Sequence, residues 1–356
     1  MFKFNELKGI HLEITNRCQA ACPMCARNHH GGLPNPNVIE GDWTLEDFKQ
    51  IITPEVLDQI DYYYFCGNFG DPMVNNDLIK MIEYSNSIAP HVSIRIHTNA
   101  GARKPDWWKE LASVCTDNDT LVVALDGLED THHLYRVNTT YERVIENATA
   151  FIDAGGKADW AMLVFKHNEH QIEEARKRAE DLGFKMFYVK NSSRFVGSNQ
   201  YEVYDKDGNT THVLEPSSAT NLNFITKQDV DNFQKLVAIT DIDCMVKKGK
   251  EVYIDAHRHL MPCCFIASAP YDHVTGILSE PKKHIKEQYN QLVKTLGGLN
   301  NLHTINRSIK DIINSQEYQT AWNYYWNENK LIQCARTCGV NKFSKPNDQF
   351  IEKIEL

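Results

Sequence analysis

From residue 10 to about 190 the chain alternates between short apolar runs and longer amphipathic stretches. The runs "IHLEIT" (10–15), "YYYFCG" (62–67), "VSIRIHT" (92–98), "TLVVALD" (120–126), "WAMLVF" (160–165) and "KMFYVK" (185–190) have strand length. Between them "WTLEDFKQIITPEVLDQI", "NDLIKMIEYSNSI", "PDWWKELASVC", "YERVIENATAFIDAG" and "EHQIEEARKRAEDLG" place apolar residues at helical spacing. Thr44 with Asp47 reads as a capping box, as does Asn168 with Gln171, while "AGG" and "LG" supply glycine stops. Six strand-then-helix units imply a parallel sheet, because parallel neighbours need crossovers of helical length. An open doubly wound sheet and a curved partial barrel both satisfy this pattern.

The rhythm stops at 196–243, a polar, turn-rich stretch with "DKDG" and "EPSS" that reads as a linker or insertion with one hairpin. A second unit starts near Cys244. It holds a hairpin signal, "EVYIDAHRHLMPCCF", helical patterns at "HIKEQYNQLVKTL" and "SIKDIINSQEYQTAWNYYW", and then "CARTCG". The expected division is therefore 1–195, 196–243 and 244–356.

With 356 residues, 42% apolar and 24% charged, the chain has the make-up of a globular protein with a sizeable core. No apolar run reaches membrane-spanning length and "MFKFNELKGI" lacks a signal peptide's apolar centre, so a soluble cytoplasmic protein is expected. The net charge of −9 argues against a nucleic-acid backbone as the main partner. In a reducing compartment the ten cysteines are read as metal ligands or reactive thiols before disulfides. Cys18, Cys22 and Cys25 cluster near the start and Cys244, Cys263, Cys264, Cys334 and Cys338 lie in the last third. Cys66 and Cys115 stand alone and read as small buried hydrophobes.

"EITNRCQAACPMCARN" (13–28) puts three thiols on one loop, with three residues between the first pair and two between the second. A structural zinc site is closed by four protein ligands, and a catalytic one draws on nitrogen, oxygen and sulfur from rigid elements. Three neighbouring thiolates suit a cubane iron-sulfur cluster better and leave one iron without a protein ligand. Placed after the first strand of a repeating β/α domain, this spacing resembles the radical S-adenosylmethionine (SAM) superfamily.

The resemblance implies a partial (β/α)6 TIM barrel and a 4Fe-4S cluster whose fourth iron is chelated by the amino and carboxylate groups of SAM. An electron from a donor such as flavodoxin or ferredoxin then cleaves the sulfonium to a 5′-deoxyadenosyl radical. Other stretches extend the likeness. "CGNFGDPM" (66–73) resembles the family's Gly-Gly-Glu-Pro element, with Gly70, Asp71 and Pro72 at its last three positions and Asp in place of Glu. It implies a cradle for the SAM amino group. In "HTNAG", Thr98 and Asn99 either meet the SAM ribose or cap the next helix. "VVALDGLEDTHHLYRVNTTYERV" is similar to members with a C-terminal extension and makes Arg136 the candidate for the SAM carboxylate. "VFKHNEHQIEEA" fits the same subgroup, and Lys166, at the carboxyl end of the fifth strand, is the catalytic or substrate-site candidate at the barrel mouth.

Cys244, Cys263, Cys334 and Cys338 can close either a zinc site or a full 4Fe-4S cluster. The hairpin followed by "CARTCG" resembles the auxiliary-cluster extensions called SPASM and twitch domains, although His257, Arg258 and His259 stand where a turn glycine is usual. Five cysteines are too few for the two clusters of a SPASM domain, so the twitch form with a second, auxiliary 4Fe-4S cluster matches better. Neighbouring side chains on a strand point oppositely, so one of Cys263 and Cys264 is the ligand, with Cys263 the candidate.

The expected function is hydrogen abstraction from a peptide or small-molecule substrate, with net oxidation through the auxiliary cluster and the polar insertion as a lid over the mouth. The competing class is a non-enzymatic zinc or iron-sulfur scaffold or redox sensor.

Overall fold

Each of the six apolar runs forms a strand: β1 (Gly9–Leu12), β2 (Tyr62–Phe65), β3 (Ser93–Thr98), β4 (Thr120–Ala124), β5 (Ala158–Val164) and β6 (Met186–Asn191). The structure is a computed structural model and describes residues 1–192, 194–195, 198–219, 231–271, 279–340 and 350–356. Residues 196–197 and 220–230 of the expected insertion lie outside the described residues. The six strands are parallel and follow chain order across the sheet. A hairpin of β7 (Tyr201–Tyr204) and β8 (Thr210–Leu214) stands apart as its own two-stranded sheet.

Three later strands extend the main sheet. β9 (Glu251–Ile254) lies parallel to β1, with Gly9 opposite Glu251, and β10 (Leu260–Met261) runs antiparallel to β9. β11 (Phe350–Glu355) runs antiparallel to β6. The nine-stranded order is β10-β9-β1-β2-β3-β4-β5-β6-β11, so the sheet curves as a partial barrel and does not close on itself.

Strand alternation separates two chemistries. One register is apolar and fully buried: Ile10, Leu12, Tyr63, Phe65, Ile94, Ile96, Leu121, Val123, Trp160, Met162, Phe187 and Val189 join one core with residues of the flanking helices such as Phe48, Leu78, Leu111 and Val144. The other register carries polar side chains. His11 sits opposite Tyr64 on one side and Tyr253 on the other, and Arg95, His97, Asp159 and Lys190 continue that face.

Local sequence explains the helix boundaries. Thr44 and Asp47 form the reciprocal capping box that starts the helix Leu45–Ile51. Pro54 then opens a second helix, Pro54–Gln59, with Thr53 as its cap, so the long amphipathic stretch is split in two. Asn168 and Gln171 do not act as a box. Both are buried; Asn168 Oδ1 accepts from Phe165 N at 2.7 Å, and Gln171 Oε1 accepts from Leu128 N at 3.1 Å. Phe165, three residues back, takes the Asn168 acceptor, and Leu128, far along the chain, takes that of Gln171.

The C-terminal hairpin turns without glycine. Arg258 takes the left-handed conformation itself, φ 68°, and its guanidinium reaches Asp42 O at 2.9 Å and Asp47 Oδ2 at 2.6 Å. Those bonds offset the strain of a side chain at positive φ. The helices Ile309–Asn314, Gln316–Asn327 and Ile332–Cys338 follow, and Ile312, Tyr318 and Trp322 share the main core with Val252 and Leu260. Among the described residues no helix is long and apolar enough to cross a membrane.

Candidate active site

Past β1 the chain stays buried through Glu13–Asn16 and then opens into the cysteine loop. Cys18, Cys22 and Cys25 line a cleft of about 320 Å³. The cleft lies at the carboxyl ends of the parallel strands, and its walls include Gly70, Asp71, Thr98, Asn99, Asp126 and Arg136. The loop is tied down from several directions. Ala21 N donates to Val137 O at 3.0 Å, Arg27 Nη1 to Asn16 O at 2.6 Å, and the Tyr201 hydroxyl of the hairpin to Pro23 O at 3.0 Å. The His30 ring is stacked against both Tyr201 and Tyr204, with centroids 4.4 and 4.7 Å away. The β7–β8 hairpin therefore covers the loop on its outer side, and Val203 and Leu214 pack with Cys22 and Met24.

Asp71 organises the wall opposite the loop. Its carboxylate accepts from Thr98 Oγ1 at 2.9 Å, Asn99 N at 2.8 Å, Asn99 Nδ2 at 2.6 Å and Met73 N at 3.1 Å. Burial pushes this carboxyl up, and the bonds from Asn99, Met73 and Thr98 oppose that rise. Asn99 also reaches the loop, with Nδ2 3.5 Å from Cys18 Sγ and Oδ1 accepting from Gln19 Nε2 at 2.6 Å. Neither Thr98 nor Asn99 caps the next helix, Pro105–Val114, whose N-cap is Lys104. Pro72 opens a buried 3-10 turn, Pro72–Val74, behind the wall.

Gly70 is required by close packing. A Cβ there would stand 1.9 Å from Thr15 O and 2.8 Å from Asn16 Cα. The same turn is held by Glu13, whose Oε1 accepts from Phe69 N at 2.7 Å and Gly70 N at 3.2 Å while Oε2 meets the Tyr253 hydroxyl from β9. Burial raises the Glu13 carboxyl to about 7.

Arg136 Nε donates to Asp126 Oδ2 at 2.6 Å, and its Nη1 lies 3.7 Å from Cys22 Sγ. The other Asp126 oxygen accepts from Leu163 N at 2.6 Å. Burial pushes the Cys18 and Cys22 thiols well up, so charged thiolates need a cation beside them. An iron-sulfur cluster would supply that cation, and three thiols on one wall fit the donor set it takes. Among the described residues no three His, Cys, Asp or Glu side chains converge closely enough to hold a single ion.

Lys166, expected at the mouth, points elsewhere. β5 ends at Val164, Phe165 bridges to Pro216, and Lys166 is exposed, held by Glu169 at 2.5 Å and Ser218 Oγ at 2.8 Å. The strand's last residues turn away before reaching the cleft. Lys190, one strand on, lines the cleft with His97, Ala124, Ala161 and Arg194. Cys66, read from its isolation as a plain core residue, also lines it. Burial lifts that thiol to about 12. His11 below it is held neutral, its pKa lowered by burial to about 4, with Nε2 2.5 Å from Cys66 O.

The second set of cysteines comes together. Cys244, Cys263, Cys334 and Cys338 line one cavity with Met245, Ile266 and Trp326. Cys264 is not among its lining residues; burial, and then the neighbouring Cys263, Cys66, Glu251 and Glu13, push its thiol well up. Its carbonyl accepts from Asn68 Nδ2 at 3.1 Å, which links this segment to the cleft wall. Burial raises Cys263 to about 12, whereas contact with Cys244 draws Cys338 below the usual thiol range.

The cysteine loop thus follows the first strand of a parallel partial barrel, with the cleft at the strands' carboxyl ends. The family model of the radical SAM superfamily matches residues 12–179, and the chain thus carries a radical SAM domain. No curated protein matches the chain in sequence. Its fold is similar to that of SuiB of Streptococcus suis bound to precursor peptide SuiA: 13% identity and a TM-score of 0.54 over 88% of this chain and 66% of that one. For Streptococcus suis SuiB itself the values are 15% and 0.52, over 83% and 72%. With S-adenosylmethionine bound to SuiB they are 14% and 0.49, over 73% and 61%. The chain spans about two thirds of SuiB's length, and at these identities the likeness is one of fold.

Proposed function

We propose that this chain is an enzyme that holds a 4Fe-4S cluster through Cys18, Cys22 and Cys25, binds SAM beside it and abstracts hydrogen from a substrate in the same cleft. One observation carries this reading: the three thiols, the Gly70–Asp71 turn, Asn99 and the Asp126–Arg136 pair share the walls of one cleft. Cluster and SAM together supply a 5′-deoxyadenosyl radical.

The protein's own groups orient and enclose. Gly70 brings backbone close to the loop, Asp71 fixes Thr98 and Asn99, and Arg136 presents its guanidinium for the SAM carboxylate. Lys190 and His97, with the small Ala124 and Ala161 between them, leave room for substrate and take the role expected of Lys166. The β7–β8 hairpin shields the loop from water.

Cys244, Cys263, Cys334 and Cys338 hold a second 4Fe-4S cluster as electron acceptor, which makes the reaction a net oxidation. A peptide substrate is supported by the fold shared with SuiB, solved with a precursor peptide; a small polar molecule is the other outcome.

Anaerobic reconstitution with iron and sulfide tests the reading. About eight irons per chain and release of 5′-deoxyadenosine on adding SAM and dithionite are expected. Bound zinc, or iron without SAM cleavage, would leave a scaffold or sensor instead. Deuterium transfer from labelled peptides or polar alcohols into 5′-deoxyadenosine then sorts the substrates.

A further inference from the structure

One donor on the wall of the second cysteine cavity is aimed at the cysteines themselves. Trp326, in the helix Gln316–Asn327, is 6% exposed and lines the cavity beside Cys244, Cys263, Cys334 and Cys338. Its indole Nε1–H meets no oxygen or nitrogen acceptor and is aimed at the Cys334 thiol. A neutral thiol sulfur is a weak acceptor, so a buried donor met only by a thiol is poorly satisfied until that sulfur carries more charge. The ring itself is held in place, with Lys247 Nζ 5.2 Å from its centroid and the Trp322 ring 5.6 Å away. Trp322, whose indole is paired with the Tyr318 side chain, does not line the cavity.

Thiolate and sulfide sulfurs of an iron-sulfur cluster are acceptors, and hydrogen bonds to them tune its potential. We propose that Trp326 donates its indole N–H to the cluster held by Cys244, Cys263, Cys334 and Cys338 and raises that cluster's reduction potential. This rests on the reading that those cysteines hold a cluster. The direction follows from charge. Reduction adds one electron to the cluster, and an N–H dipole aimed at it stabilises the more negative state.

The test uses the full chain with Cys18, Cys22 and Cys25 replaced by Ala, so that the second site alone is loaded. Metal analysis comes first. Iron confirms the underlying reading, whereas zinc or no metal removes that reading and the inference with it.

Redox titration followed by electron paramagnetic resonance then compares Trp326→Phe with Trp322→Phe. Trp326→Phe is expected to shift the reduced-to-oxidised ratio at fixed potential about tenfold toward oxidised, equivalent to about 59 mV for a one-electron couple. Trp322→Phe is expected to leave it in place. An unshifted Trp326→Phe potential overturns the proposal. If Trp326→Phe takes up no cluster, the Trp322→Phe chain with ¹⁵N-indole tryptophan decides by pulsed resonance. A nitrogen coupling to the reduced cluster supports the donor, and its absence overturns it.

Discussion

Arg136 and Asp126 form a buried ion pair at 2.6 Å beside Cys22, with side chains 17% and 1% exposed. Removing the guanidinium strands a carboxylate that has lost its water. Arg136→Ala is therefore expected to lower the unfolding free energy by about 3–5 kcal/mol in urea titrations and to abolish 5′-deoxyadenosine release. Arg136→Lys keeps the charge without the planar fork and should fall between the two. A stable, active Arg136→Ala chain would remove this pair from the account of the site.

Glu13 makes stability depend on pH. Its carboxyl titrates near 7 in the folded chain against an ordinary 4.5, so between those values the native state holds a proton that the unfolded state has released. The native state binds more protons, and stability falls as pH rises through this window. Glu13→Gln removes the proton. The difference in unfolding free energy between parent and Glu13→Gln should shift by about 2–3 kcal/mol between pH 5 and pH 8, to the parent's disadvantage at the higher pH. A difference that stays flat over that range would show that Glu13 is ionised in both states.

Two glycines separate packing from backbone strain. Gly70→Ala drives a methyl into the Thr15 carbonyl and must displace the cysteine loop, whereas Gly208, at φ +84°, has open space around its Cβ position. Gly208→Ala should cost about 1 kcal/mol and leave iron content unchanged. Gly70→Ala should cost about 1–3 kcal/mol or more and deplete the first cluster. Equal iron content in the two variants would contradict this.

Cys263 and Cys264 are adjacent in sequence but face different surroundings. Cys263→Ala is expected to lower iron by about four per chain while Cys264→Ala keeps it. Iron loss in Cys264→Ala with retention in Cys263→Ala would reverse the assignment.

The strands were legible because residues such as Ile94, Ile96, Leu121 and Val123 alternate onto the helices and leave a local signature. The helix starting at Thr44 was legible for the same reason, since a capping box closes within three residues. The polar face of the barrel left no such mark. His11, Tyr64, His97 and Lys190 belong to four strands and meet through pairing alone, so sequence reasoning chose Lys166 by its nearness to a strand end. Glu13 and Tyr253 are far apart along the chain, and no local pattern announces their contact. Asn168 and Gln171 carried the spacing of a cap, yet Asn168 bonds back to Phe165 and across to Asp126, and Gln171 bonds to the distant Leu128. The choice between Cys263 and Cys264 needed the cavity itself.

β1 is flanked by β2 on one side and by β9 on the other, and β9 begins 242 residues after the start of β1. During synthesis one flank of that ribbon stays bare for tens of seconds, at about 5–20 residues per second. An unpaired edge invites the wrong neighbour. Nascent chains are expected to depend on chaperone shelter over this interval, and truncated products ending before Glu251 to accumulate as inclusion bodies.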